Sequence, residues 1–389
     1  MFINYCVIDT IINGCYNSFT FKITFAVVVI SIGRNGKRAT ILDIAKEAKV
    51  STATVSRVLN NLDYPVTEAL RKRVIEVSER LDYHPNIFSQ MLKGGTSNEI
   101  GIIVPSISNP FYAQLVADTE RICLKNSYIP IICSSYNSPQ LENNHLEMLT
   151  NKQVAGIILS TINLEGIISR LSSFLSPCVL FDQPSEGYHG DSITFDFYKS
   201  GYMATSYLIE NGHRRIAFVS PPIDRTSRRY IYKGYREALR DHGIRLSSKW
   251  VFVAANGQHQ EMETQDYQNG RLLAGTLLNA PYLPDAVLAI NDIIAIGIMS
   301  TLTERNVQIP NDLSLIGFDD IAFSSMVTPA LTTVRQSTTQ TAGTACKLLF
   351  DRIQNPQKEA VHVKIEPEII VRSTVRKIHP KVKKQTDKP

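Results

Sequence analysis

The chain has little of what marks several protein classes. Its six cysteines (6, 15, 123, 133, 178 and 346) show no C-x-x-C spacing and no metal-binding interval. Neither a disulfide framework nor a structural metal is indicated, and the thiols read as reduced, mostly apolar core residues of a cytoplasmic protein. The eight histidines are scattered, and neither H-E-x-x-H nor G-x-S-x-G occurs. The residues therefore offer no catalytic constellation, imply no cofactor and argue against an enzyme. The apolar run Phe25–Ile32 falls far short of the roughly 18 residues that cross a bilayer. Excess charge is lacking too. Residues 376–389 hold six Lys/Arg and one Asp, which accounts for the whole net charge of +5. Bulk charge thus says nothing about a polyanionic partner, and local placement has to carry that question.

What is present is concentrated first in residues 40–60, TILDIAKEAKVSTATVSRVLN. Ile41, Ile44, Ala45 and Ala48 fall at i, i+3, i+4, i+7, one apolar helical face. Thr40 and Ser51 stand where N-caps belong. In the second helix Val55, Val58 and Leu59 point inward, and Thr52, Ala53, Ser56 and Arg57 face out. Small polar residues and one Arg on an exposed N-terminal face suit entry into a DNA major groove about 12 Å wide. Taken alone, the same residues also fit an ordinary helical hairpin.

A third helix is expected over Thr67–Asp82, with Leu70, Val74, Val77 and Leu81 at helical spacing and Arg71, Lys72 and Arg73 as a phosphate patch or a solvated face. Pro85 ends it, Asn86 can cap a helix of about two turns, and Gly94-Gly95 stops that helix. So short a helix is marginal alone and suits a hinge that folds on binding.

From Glu99 onward short apolar runs alternate with helical ones. EIGIIVP, YIPIICS, VAGIILS and PCVLFD read as strands buried on both faces, with helices 111–126 and 140–151 between them. RIAFVS, WVFVAA, AVLAI and LSLIGF form a second set. Two such sets make two doubly wound parallel-sheet α/β lobes.

These segments resemble the lactose-repressor (LacI/GalR-type) family of bacterial transcription regulators. The matching words are ATILDIAKEAKVSTATVSRVLNN, YHPNIFSQMLKGGTS, IGIIVPSISNPFY, VAGIILS, ENGHRRIAFVS, AINDIIAIG, VQIPNDLSLIGFDDIAFS and PALTTVRQ. They run in family order over about residues 39–375. The resemblance implies an all-helical helix-turn-helix headpiece (39–84), a hinge helix and linker (85–98), a bilobed periplasmic-binding-protein-like core for effector binding and dimerisation (99–375), and a basic tail (376–389). It also implies three crossings between lobes, expected near Phe195, Ser324 and Leu331. Residues 1–38 precede the family pattern and are expected to be upstream sequence read through from a misplaced start.

On this reading the partners are a palindromic operator, a second copy of the chain and a small-molecule effector, with no membrane. Thr52, Ala53 and Arg57 would read bases, while Thr40, Ser51, Thr54, Ser56 and Asn60 would position the helix. The family inserts a Leu pair into the minor groove, and Leu92 matches it; the plain alternative is hinge-to-hinge packing.

Ligands of open α/β sheets sit at the carboxyl ends of strands. There the chain places Asn109, Phe111 and Tyr112, then Asp182, and then Asn291 and Asp292; Arg225 matches a family position that clamps ligand. An amide, aromatic faces and carboxylates suit a sugar or related polyol, and the aromatics suit a nucleobase as well. The alternatives are core packing for each Phe or Tyr and a helix N-cap for each Asp. Several positions depart from the family: Lys49 in the turn, Leu42, Pro65, Phe197, and Ile231 where many relatives put an Arg in the pocket. Arg228 and Arg229 lie close to that position but out of register. Two other readings compete with a switched repressor: an exported sugar-binding protein and a sugar-converting enzyme. A phosphorylated carrier protein as corepressor is a further alternative to a small molecule.

Overall fold

The computed structural model describes residues 39–59, 65–83, 97–162, 164–171, 176–181, 188–255 and 265–378. The N-terminal segment 1–38 and the expected hinge helix lie outside these residues. The chain divides into two compact units between Gly95 and Thr96.

In the first unit, helix α1 (Ile41–Ala48) opens with a reciprocal cap. The Asp43 amide donates to Thr40 Oγ1 (3.4 Å) and the Thr40 amide donates to Asp43 Oδ2 (2.8 Å). Lys49 ends the helix in the left-handed region, φ 53° and ψ 48°. Helix α2 (Thr52–Leu59) follows at once, its first turn tied by Thr54 N–H to Ser51 Oγ at 3.1 Å. Helix α3 (Glu68–Arg80) closes the unit, and Arg80 reaches Glu47 on α1 at 2.5 Å. Ile44, Ala48, Val55, Val58, Val74 and Val77 form a core of its own. The apolar spacing of each helix thus converges on one small centre.

The second unit holds two six-stranded sheets. The first is ordered β11-β5-β4-β3-β1-β2, all parallel: β1 (Glu99–Val104), β2 (Ile129–Ser134), β3 (Gly156–Ser160), β4 (Cys178–Phe181), β5 (Asp191–Phe195) and β11 (His362–Ile365). Helices α4 (Pro110–Lys125), α5 (Pro139–Asn151) and α6 (Leu164–Leu171) belong to this lobe. The second sheet is ordered β12-β10-β9-β8-β6-β7: β6 (Ile216–Ser220), β7 (Val251–Val253), β8 (Ala286–Ala289), β9 (Ser314–Asp319), β10 (Thr332–Arg335) and β12 (Glu368–Ile370). Only β12 runs antiparallel, against β10. Helices α7 (Phe197–Glu210), α8 (Thr226–Asp241), α9 (Gln265–Leu278), α10 (Asp292–Glu304) and the short α11 (Ala322–Met326) belong to it. Helix α12 (Thr338–Gln354) returns to pack on α4 in the first lobe. Central strands such as β3 and β8 are buried along their whole length, as sheets covered on both faces require.

The crossings correct part of the sequence reading. The first falls after Phe195, as expected, between β5 and α7. The other two fall between Arg335 and Thr338 and between Ile365 and Glu368, not at Ser324 and Leu331. The four-residue strand TTVR explains the shift. It has one aliphatic residue and so no periodic signal, yet it pairs with β9 (Thr332 opposite Ile316) and holds the chain in the second sheet beyond Leu331. Residues 376–378, the start of the basic tail, pack on the second lobe. Ile378 N–H donates to Asn211 O at 2.8 Å, and Arg376 N–H to Ser314 Oγ at 3.0 Å.

Candidate functional site

Two regions carry the expected site residues. On the headpiece, Val55 and Val58 are buried, and Ala53 is exposed at the start of α2. Thr52, Ser56 and Arg57 are half-buried around it. Thr40 is exposed but spends its hydroxyl within the cap, donating to Asp43 Oδ2 at 2.6 Å. Ser51 Oγ and Thr54 Oγ1 lie 2.9 Å apart and hold the turn between α1 and α2. Asn60 and Leu92 lie outside the described residues.

In the second unit a cleft of about 960 Å³ opens between the two lobes, walled by the loops and helix starts that follow β1, β2, β6 and β8. Tyr112 and Asn109 line it at the N-terminus of α4, where Asn109 Oδ1 accepts from Phe111 N–H at 2.9 Å. Arg225 lines the opposite wall and spans the gap, donating from Nη2 to Asn137 Oδ1 at 2.6 Å.

Three expected ligand contacts are placed elsewhere by the structure. Phe111 is 5% exposed, stacked on Phe181 at 6.3 Å and edge-on to Phe195 at 6.4 Å. It belongs to an aromatic cluster in the lobe core, and the aromatic side chains that line the cleft are those of Tyr112, Tyr136, Tyr267 and Phe323. Asn291 accepts from Ile294 N–H and donates to Asp266 Oδ2, both at 2.8 Å, so it caps α10 and orients a carboxylate of the cleft wall. Asp292 has no exposed surface. It accepts from Ser324 Oγ (2.6 Å), Thr333 Oγ1 (2.6 Å) and Ile321 N–H (3.1 Å). Burial pushes its carboxyl up to about 7 in spite of these bonds. The carboxylate is enclosed inside the second lobe and is not among the groups that line the cleft. Asp182 lies outside the described residues.

The structure adds residues that sequence reasoning did not place. Arg228 lines the cleft, donating from Nη1 to Pro222 O (2.9 Å) and Asp224 Oδ1 (3.1 Å). Ile231, one turn further along α8, is buried among the helices. The three-residue spacing that made Arg228 look out of register is the spacing that keeps it on a shared helix face. Tyr136 and Asn137 both adopt positive φ, 48° and 59°, and present their side chains to the cleft. The run S-Y-N-S-P after β2 was the available signal, since Asn and Ser favour such turns.

Among the described residues, no group of His, Cys, Asp or Glu could hold a metal ion, and no helix is long and apolar enough to cross a membrane.

Comparison with known proteins matches these two units separately. The model described as "Bacterial regulatory proteins, lacI family" matches residues 40–86, and a "Periplasmic binding protein-like domain" matches 205–375. The chain is 33% identical over 340 residues to the HTH-type transcriptional repressor PurR of Pasteurella multocida, covering 87% of this chain and 99% of that protein. Among solved structures, the transcriptional regulator CelR in complex with cellobiose is similar at TM-score 0.61 and 26% identity, over 87% of this chain and all of that one. The lac repressor dimer bound to operator and the anti-inducer ONPF shares the fold at TM-score 0.74 and 24% identity, with 87% and 100% covered.

Proposed function

The chain belongs to the lacI family of bacterial transcriptional repressors, and from that premise we propose that it binds a palindromic operator as a homodimer and that a small molecule between its lobes sets its operator affinity. The observation that carries the DNA half is the side of α2 turned away from the headpiece core, with Ala53 exposed between Thr52, Ser56 and Arg57. An Arg can pair bidentately with guanine O6 and N7, worth about 1–3 kcal/mol of discrimination, and an Ala can touch a thymine methyl. Ser51, Thr54 and Ser56 would meet phosphates, and Leu92 would wedge the operator centre. Selection of binding sites with Arg57→Ala should return a consensus relaxed at one base pair of each half-site. Recovery of the wild-type consensus would sink the assignment.

The effector is a polar small molecule, a sugar in the first instance. Asn109, Asn137 and Arg225 supply hydrogen bonds, and Tyr112 supplies an apolar face. CelR with its cellobiose supports the sugar reading by likeness. A nucleobase is the second reading, since Tyr112 and Tyr136 offer two rings for stacking. Ligand binding regulates only through different affinities for the lobe arrangements of the free and operator-bound states.

A further inference from the structure

We propose that the effector carries an anionic group, a phosphate or a carboxylate, seated between the guanidiniums of Arg225 and Arg228 where α8 begins. This rests on the reading of the cleft as the effector site. Both side chains line that cleft, and neither is hydrogen-bonded to a buried carboxylate. Arg225 has a neutral partner, the Asn137 amide oxygen. Arg228 is only 17% exposed, while the one carboxylate it touches, Asp224, is 66% exposed at i,i+4. An exposed carboxylate in that position is screened by water and contributes little. Two of the donor bonds of Arg228 leave from Nη1; among the described residues, Nε and Nη2 make no hydrogen bond.

The other acids of the region offset this only in part. Asp266, which accepts from Asn291, and then Asp224 attract the Arg228 guanidinium, but they do not outweigh its burial and the charge of Arg225. Glu142 is buried, accepting from Thr161 Oγ1 at 2.5 Å and Ile162 N–H at 3.1 Å. Burial raises its pKa, against the pull of those two bonds and of the Arg225 charge. Burial first, and the neighbouring Arg225 second, bring the Arg228 guanidinium down to about 10. Two like charges side by side in a half-dry wall are unfavourable until an anion joins them.

The backbone points the same way. Arg225 occupies the N-cap of α8 without a side-chain bond to the first turn, so no Ser, Asp or Asn side chain competes for those amides. The helix dipole adds positive potential at the same place. A guanidinium fork fits the paired oxygens of phosphate or carboxylate. Ile231 is buried and aliphatic, so residue 228 is where α8 delivers its guanidinium to the cleft.

The test is isothermal calorimetry on the full chain with ribose, glucose, their monophosphates, the corresponding sugar acids and inorganic phosphate alone. One anionic compound should bind about a hundredfold tighter than its neutral parent, the scale of charge-assisted hydrogen bonds. Phosphate against acid arms separate the two anion types, and inorganic phosphate alone shows whether the anion suffices without the sugar. Arg228→Gln should reduce the ratio to below about tenfold, and Arg228→Lys should restore part of it. The inference fails if a neutral sugar binds as tightly as its anionic forms, or if Arg228→Gln weakens both alike in a protein that still melts cooperatively. If no compound of any charge binds the wild type, the small-molecule reading of the cleft itself fails.

Discussion

The Asp292 carboxylate sees no solvent and accepts three hydrogen bonds from groups far along the chain. Its pKa is raised from 3.8 to about 7, mainly by burial. The folded state therefore holds a proton that the unfolded chain releases near pH 4, and stability falls as pH rises from about 4 to about 7. Above that window the full cost of the buried charge remains. Asp292→Asn keeps an oxygen for Ile321 N–H and the Ser324 hydroxyl, and its Nδ2 can donate to Thr333 Oγ1. The variant should gain on the wild type steadily from pH 5 to about pH 7 and level off above it, read as the difference between their melting temperatures. A flat difference across that range would show that Asp292 does not titrate there. The sequence marks Asp292 as the residue that ends a strand but does not say which way it turns. Its partners Ser324 and Thr333 arrive 32 and 41 residues later. Gly317 makes room, since a Cβ there would collide with Asp292 Oδ1. The same limit applies to Phe111 and Tyr112. Successive helix residues point about 100° apart, and the sequence alone could not choose which ring faced the cleft.

Helices α7 and α8 approach so closely that each needs a glycine. A Cβ on Gly234 would meet the Tyr198 carbonyl and the Tyr202 amide, and one on Gly201 would meet the Ile231 carbonyl. Helices α9 and α10 repeat the device with Gly270 and Gly297. These obstacles are backbone, which cannot swing aside as a side chain can. Gly234→Ala should lower stability by about 1–3 kcal/mol or more, read from urea unfolding by Trp250 fluorescence. It should also weaken effector binding, since α8 carries Arg228 and has Arg225 at its N-cap. Gly275→Ala on α9 is the control. Nothing lies near its Cβ, so helix propensity should make it neutral or stabilising by up to about 1 kcal/mol. If the two variants unfolded alike, close packing would not be the reason for Gly234. At this scale the sequence was most legible where the period was long and the cap chemical: α1 with Thr40, α2 with Ser51, and the left-handed Lys49 between them. It was least legible for β5, β10, β11 and β12. These strands have three to five residues, and each contains at least one polar side chain.

At the scale of the whole molecule, two lobes were legible because their long buried strands are continuous apolar runs, whereas the crossings depended on short strands and could be placed only approximately. What covers the sheets' outer edges is the remaining question. The first sheet ends on β2, where Ile129 and Ile132 are 49% and 43% exposed; the second ends on β7, where Val253 is 39% exposed. Leu124 and Leu272, on the helices α4 and α9, and Tyr282 are exposed as well. Bare edge strands carrying isoleucine invite pairing with another chain and are ordinarily blunted by charge. A palindromic operator requires two headpieces related by a twofold axis, and an isologous dimer built on such edges would supply both the cover and the symmetry. A charge placed on an exposed edge position should be tolerated by one chain but not at a buried interface between two. Ile132→Lys should therefore sediment as a folded monomer while the wild type sediments as a dimer. Its operator affinity at the same chain concentration should drop by about a hundredfold or more, since each half-site is then bound alone. Effector binding per chain should persist, because the cleft lies between the lobes of one copy. If Ile132→Lys remained dimeric and kept full operator affinity, β2 would not lie in the dimer interface.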